Sequence, residues 1–97
     1  MIVHSLMLKL KDRSEASISK ARDVLLGMKG RIEPLREVQV EVDMRHAPTS
    51  YDLMLVAHFD SMEDFEAYLV HPVHVEVARY VAEVLDTMAG VLYSTAA

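Results

Sequence analysis

Residues 65–74 read FEAYLVHPVH, which sets Tyr68, His71 and His74 at three-residue intervals around Pro72. A tyrosine hydroxyl and an imidazole facing one pocket could polarise a carbonyl group and move a proton at neutral pH. A structural role is also open to them. Tyr68 could pack its ring into a core, with His71 and His74 hydrogen-bonding the backbone groups that a broken helix leaves unpaired. Metal binding is the third chemistry to weigh, since zinc collects three or four ligands on one centre. Pro72 splits the histidine pair and Glu76 is the only carboxylate close beyond it, so no metal is expected.

The remaining histidines are scattered. His4 shares a strand face with Ile2 and Leu6, the usual setting of a core or interface histidine. His58 alternates with Met54 and Val56 and reads as a residue of a strand edge or dimer seam, while His46 precedes Pro48 in a loop and reads as solvated. No cysteine occurs, which excludes disulfides, thiolate metal sites and cysteine nucleophiles. The stretch GMKG (residues 27–30) lacks the phosphate-loop pattern, and no Ser/His/Asp arrangement stands out, so no cofactor is expected. The seven methionines read mainly as core fillers.

The elements that must position these groups follow from the hydrophobic pattern. Residues 2–10 are extended, with Ile2, His4, Leu6, Leu8 and Leu10 on one face and Val3, Ser5, Met7 and Lys9 on the other. A helix follows Ser14 as N-cap, carries Ile18, Ala21, Leu25 and Met28 as its stripe, and stops near Gly27 or Gly30. Val38, Val40, Val42 and Met44 alternate with Glu37, Gln39, Glu41, Asp43 and Arg45, giving a strand with one buried and one solvated face. APTSYD supplies a connecting loop, and DLMLVAHF is apolar on both faces, the pattern of an interior strand. Ser61 to Asp64 form a capping-box-like start to a second helix, in which Phe65, Tyr68 and Leu69 share a face. Pro72 bars His71 from the helical region and suits the first turn of a new helix. That helix carries Val73, Val77, Tyr80, Val81, Val84 and Met88 and ends near Ala89-Gly90, before a short last strand, VLYSTA.

The order is β-α-β-β-α-β: an α+β, ferredoxin-like arrangement with an antiparallel sheet and its second helix split at Pro72. Residues 1–97 read as a single domain, 52% hydrophobic and 26% charged. Two helices cover one sheet face only, yet the first and third strands are apolar on both. A second copy laid on the other face would remove that exposure, so a homodimer with facing sheets, a dimeric α/β barrel, is expected. The net charge of −5 and the lack of any basic cluster longer than Lys9–Lys11 argue against nucleic acid. No segment approaches the roughly 18 apolar residues of a membrane span. The opening MIVHSLMLKLKD lacks a basic leader and a small-residue cleavage site. A soluble cytoplasmic protein is expected.

The segments VHSLMLKLK, YDLMLVAHFDSMEDFEAY, AYLVHPVH and VLYSTA together resemble the stress-responsive α/β-barrel domain proteins of the dimeric α/β-barrel superfamily. The resemblance spans almost the whole chain. It implies a homodimer of unproven biochemical role that takes a small apolar or carbonyl-rich ligand. One plant member of that family is a polyketide cyclase that closes an aromatic ring by aldol condensation without a cofactor. Carried across by resemblance, its catalytic tyrosine and histidine fall on Tyr68 and His74, and its pocket histidine on the first strand falls on His4. Leu53 stands where the cyclase has a further pocket histidine, and His58 lies too late on that strand to replace it. Monooxygenases of the same superfamily share the implied fold, but no residue pattern here selects them.

Overall fold

Side chains that alternate every second residue leave a strand only one face to offer a helix, and that decides how this chain is layered. The computed structural model describes residues 1–95; Ala96, the last residue of the expected VLYSTA strand, lies outside them. Its elements are β1 (Ile2–Leu10), α1 (Glu15–Leu26), β2 (Glu37–Val42), β3 (Leu53–Phe59), α2 (Met62–Leu69), α3 (Pro72–Val84) and β4 (Leu85–Ser94). The strands form one antiparallel sheet in the order β2-β3-β1-β4. This is the expected ferredoxin-like order, with the second helix divided into α2 and α3.

One face of the sheet meets the helices. Leu8 and Leu10 of β1, Leu53, Leu55, Ala57 and Phe59 of β3, and Val38 of β2 are buried there. Against them pack Ile18, Ala21 and Leu25 of α1, and Phe65 and Tyr68 of α2. Burying one such large apolar side chain contributes roughly 1.5–3 kcal/mol, so α1 and α2 are held firmly. α3 is different. None of its residues is buried, and Val73, Val77, Val81 and Val84 are only partly covered. It lies over the sheet without closing on it.

The other sheet face carries Val3, Ser5 and Met7 of β1, Met54, Val56 and His58 of β3, and Ala89, Val91 and Tyr93 of β4. No helix covers it. Met7 and Met54 are opposed across the strands and are 41% and 39% exposed, and Val91 is 61% exposed. Val3 is buried at one end of this face, but the rest of it on β1 and β3 is left partly or largely open by this chain.

Several boundaries differ from the sequence expectation. α3 ends at Val84, and Met88, Ala89 and Gly90 belong to β4. The backbone N–H of Lys11 donates to the Val84 carbonyl at 2.9 Å, and β4 then pairs along β1, with Met88 opposite Leu8. Pairing with a distant strand thus overrides a stripe that continues at helical spacing. Gly90 is not a helix stop. A Cβ there would meet Leu6 Cδ2 at 2.5 Å, so the glycine admits the Leu6 side chain. After α1, Gly27 keeps a right-handed helical conformation, and Gly30 takes the left-handed one with φ of 77°. β2 stops at Val42 because the Asp43 carboxylate accepts the His46 N–H at 2.6 Å and His46 turns the chain with φ of 51°. Met44 is therefore fully exposed rather than buried. Leu69 is also exposed; Phe65 and Tyr68 alone form the buried face of α2.

Asp52, which reads as a loop residue in the sequence, is buried. Its carboxylate accepts the Leu10 N–H and the Arg13 Nε–H, each at 2.9 Å. Arg13 in turn donates through Nη2 to the Ala47 carbonyl at 2.9 Å. The pair ties the loop of residues 43–52 to the end of β1.

Candidate active site

The site begins with the break between α2 and α3. Ser61 caps α2, its hydroxyl accepting the Asp64 N–H at 3.2 Å, and the helix then sets Phe65 and Tyr68 on the sheet side. His71 has φ of −66° and ψ of 136°, the extended conformation that a following proline demands. Its Nδ1 accepts the Val73 N–H at 3.1 Å, so His71 acts as the N-cap of α3. His71 is thereby placed in a structural role.

His74 lies in the first turn of α3 and folds back over the break. Its Nδ1 stands 3.1 Å from the Leu69 carbonyl oxygen. A carbonyl oxygen can only accept, so Nδ1 carries the proton, and in the neutral ring the lone pair is on Nε2. The imidazole packs on the Tyr68 ring with centroids 4.3 Å apart. From the sheet, His4 reaches the same place on the helix-facing side of β1. Its ring meets Phe65 edge-on at 5.0 Å.

Beneath α3 is a cavity of about 270 Å³ with His4, Tyr68 and His74 in its wall. The rest of the lining is apolar and includes Leu6, Leu8, Met28, Val81 and Met88. Ala78 and Ala82 line it from α3, and such small side chains help leave the space open. The cavity is mostly apolar with a few convergent polar groups, and its volume lies just below the roughly 300–1,000 Å³ common for small-molecule sites.

The electrostatics follow from burial. Burial pushes the Tyr68 hydroxyl up to about 12, so it stays protonated and acts as a donor, not as a base. Its partner in the structure is the Met28 thioether at 3.8 Å, a weak acceptor that a ligand oxygen can replace. Burial lowers the His74 pKa, and the Leu69 carbonyl partly offsets that. Burial also lowers the His4 pKa, and the nearby His74 lowers it further, because two imidazolium charges would repel. Both rings are held towards their neutral forms at pH 7.

The structure therefore brings together His4, Tyr68 and His74. It sets the others apart. His58 is on the uncovered sheet face, with its Nδ1 4.0 Å from a Glu37 carboxylate oxygen, too long for a hydrogen bond. His46 is exposed on its turn, and Leu53 is packed in the core away from the cavity wall. Met28, Ala78, Ala82 and Met88 are site residues that the sequence did not single out. The alanines four apart on α3 were the one available signal. A larger open groove of about 820 Å³ at the start of α1 mixes Arg13 and Arg22 with Glu15 and Asp43 and holds none of the three site residues. Among the described residues, no group of three or more His, Asp or Glu side chains is placed to hold a metal ion.

Comparison with known proteins adds a family and a fold. The model of the stress responsive A/B barrel domain matches residues 2–93. A dimeric ferredoxin-like protein of unknown function from Thermobifida fusca superposes with a TM-score of 0.84 at 23% identity, covering 97% of this chain and 90% of that one. A crystallised Arabidopsis thaliana protein gives a TM-score of 0.82 at 24% identity over 100% and 97% of the two chains. The hydroxynitrile lyase of Passiflora edulis gives 0.82 at 14% identity over 95% and 90%. A search of curated proteins found no match.

Proposed function

This chain belongs to the stress-responsive A/B barrel domain family, and from that premise we propose a homodimer that holds a small carbonyl-bearing molecule under α3 and moves a proton on it without a cofactor. The observation that carries the reading is the hydrogen bond from His74 Nδ1 to the Leu69 carbonyl, which leaves Nε2 as the free acceptor of a ring that lines the same apolar cavity as Tyr68. A base of lowered pKa is already deprotonated at neutral pH, and a donor near pKa 12 is always protonated. His74 takes a proton from the carbon next to the carbonyl. Tyr68 steadies the oxygen as negative charge moves onto it. Return of the proton, or attack of the resulting enolate on a second carbonyl of the same molecule, completes an isomerisation or an aldol-type closure. The occurrence of this fold in a hydroxynitrile lyase supports its capacity to house an enzyme.

The uncovered sheet face supports the dimer. Met7, Met54, Val91 and Tyr93 form an apolar surface that a monomer would leave in water. The similar Thermobifida fusca protein is dimeric. The same reading puts the protein in the cytoplasm; among the described residues no helix is long and apolar enough to cross a membrane.

The test needs no natural substrate. Acetophenone incubated with the protein in D2O exchanges its methyl protons if a base in the cavity removes them, and NMR follows the loss of signal. Exchange above buffer is expected for the wild type, with a fall on the order of 10²-fold in His74→Gln. Equal rates in the two proteins would remove His74 as the base. Binding of the ketone without exchange would leave a ligand carrier and no catalyst.

A further inference from the structure

We propose that the two cavity imidazoles are held in opposite neutral tautomers, so that His4 is an N–H donor to the ligand oxygen and His74 alone is the base. This deepens the acid–base reading of the cavity and rests on it. His74 is settled by its partner, because the Leu69 carbonyl at 3.1 Å requires a proton on Nδ1. His4 is settled by the lack of one. Its Nδ1 is buried with no hydrogen-bond partner among the described residues. A buried N–H without an acceptor is the rarer and more costly orphan, whereas a bare ring nitrogen tolerates apolar surroundings better. The His4 proton therefore belongs on Nε2, and the ring that carries it is part of the cavity wall.

The cavity wall then offers two donors, His4 Nε2–H and the Tyr68 hydroxyl, and one acceptor, His74 Nε2. Two donors suit a single oxygen that gains charge during reaction. In the step, the C–H electron pair moves into the carbon–carbonyl bond and the carbonyl π pair moves onto oxygen. The proton goes to His74 Nε2. The resulting imidazolium keeps its hydrogen bond to Leu69, and His4 stays neutral beside it, since a second positive charge there is disfavoured. Among the described residues no Asp, Glu, Lys or Arg lines the cavity, so none of them balances a charged ligand. The ligand is an uncharged molecule with its carbonyl at the histidine end and apolar substance elsewhere.

Two measurements decide this. Long-range proton–nitrogen NMR of 15N-labelled protein at pH 8 distinguishes protonated from bare ring nitrogens. Bare Nδ1 in His4 and bare Nε2 in His74 are expected; a proton on His4 Nδ1 overturns the proposal even if His74-dependent exchange of acetophenone persists. The second uses para-substituted phenols of increasing acidity as enolate mimics. Wild-type affinity should rise with acidity, because the donors favour the developing oxyanion. His4→Phe keeps a ring against Phe65 but loses the donor, and should bind 4-nitrophenol about 10-fold more weakly and lower kcat for exchange by roughly 10²-fold. His4→Gln, whose Nε2 amide reproduces the donor, should recover much of both. Equal behaviour of His4→Phe and wild type, in protein shown by circular dichroism to be folded, would also overturn the assignment. A wild type with no exchange but the expected tautomers would sink the catalytic reading and leave the hydrogen-bond pattern standing.

Discussion

Removing a single oxygen from Tyr68 separates its chemistry from its packing. The Tyr68 ring contacts Phe59 at 4.8 Å, Phe65 at 6.2 Å and His74 at 4.3 Å between centroids, and Tyr68→Phe keeps all three. Among the described residues the hydroxyl has only the Met28 sulfur, at 3.8 Å, as a partner. A hydrogen bond that long and that weak is worth less than about 1 kcal/mol, so urea unfolding should give nearly the wild-type free energy. A change of that size moves the melting temperature of so small a domain by no more than about 4–8 °C. Tyr68→Ala, by contrast, empties the core and costs about 3–5 kcal/mol. That is a large share of the roughly 5–15 kcal/mol holding a typical domain together. Activity should respond the other way. Loss of one oxyanion donor lowers the rate by about 10²–10³-fold, or about 2.7–4 kcal/mol of barrier. Tyr68→Phe should therefore be stable and slow in the acetophenone exchange assay. A variant that is as fast as wild type, or that loses more than about 2 kcal/mol of stability, would refute the placement of this hydroxyl at the ligand.

Asp52→Ala leaves the Leu10 N–H and the Arg13 guanidinium without their buried carboxylate, and should cost about 3–5 kcal/mol in denaturant titration. Asp52→Asn, which keeps an acceptor, should cost clearly less. Both His4 and His74 have pKa values lowered from 6.5, so below that value the unfolded chain binds protons that the folded one refuses. Stability is accordingly full above about pH 6.5 and declines as pH falls through the folded values; a melting temperature unchanged from pH 7 to 5 in wild type, and equal to that of His4→Phe/His74→Gln, would contradict the burial of the pair. Exchange activity should fall over the same range as Nε2 of His74 is protonated. Met54→Lys puts a charge at the centre of the uncovered sheet face and should shift the sedimentation of dilute protein from dimer to monomer, with the cavity on the opposite face untouched.

The legible features are those whose cause is local. β2 shows itself by two-residue alternation of apolar and polar residues, β1 and β3 by extended runs apolar on both faces, and α1 and α2 by caps at Ser14 and Ser61 whose hydroxyls accept N–H groups three residues on. The break at His71 follows from the bulk of the Pro72 ring. The end of α3 is not local. Val77, Val81, Val84 and Met88 continue one helical stripe, and pairing with the edge of β1, far earlier in the chain, draws residues 85–94 into a strand. Asp52 looked like any loop acid because its partners, Leu10 and Arg13, are far from it in sequence.

For the site, the residues alone excluded thiols, pointed to a broken helix and left catalytic, structural and metal roles to weigh for a tyrosine and two histidines; the family resemblance singled out Tyr68 and His74. The residues did not show where His74 aims, since the proline interrupts the helical phase that would have said so. Tertiary structure decided that, through the Leu69 carbonyl that orients the ring, and it set His4 beside it from the other end of the chain. It also decided that a cavity exists. A void forms where elements fail to meet, here α3 over β1 and β4, and that failure belongs to how three separate segments pack against one another. Periodicity and steric limits are written residue by residue along the chain; hydrogen-bond partners and empty space exist only once distant residues are brought face to face.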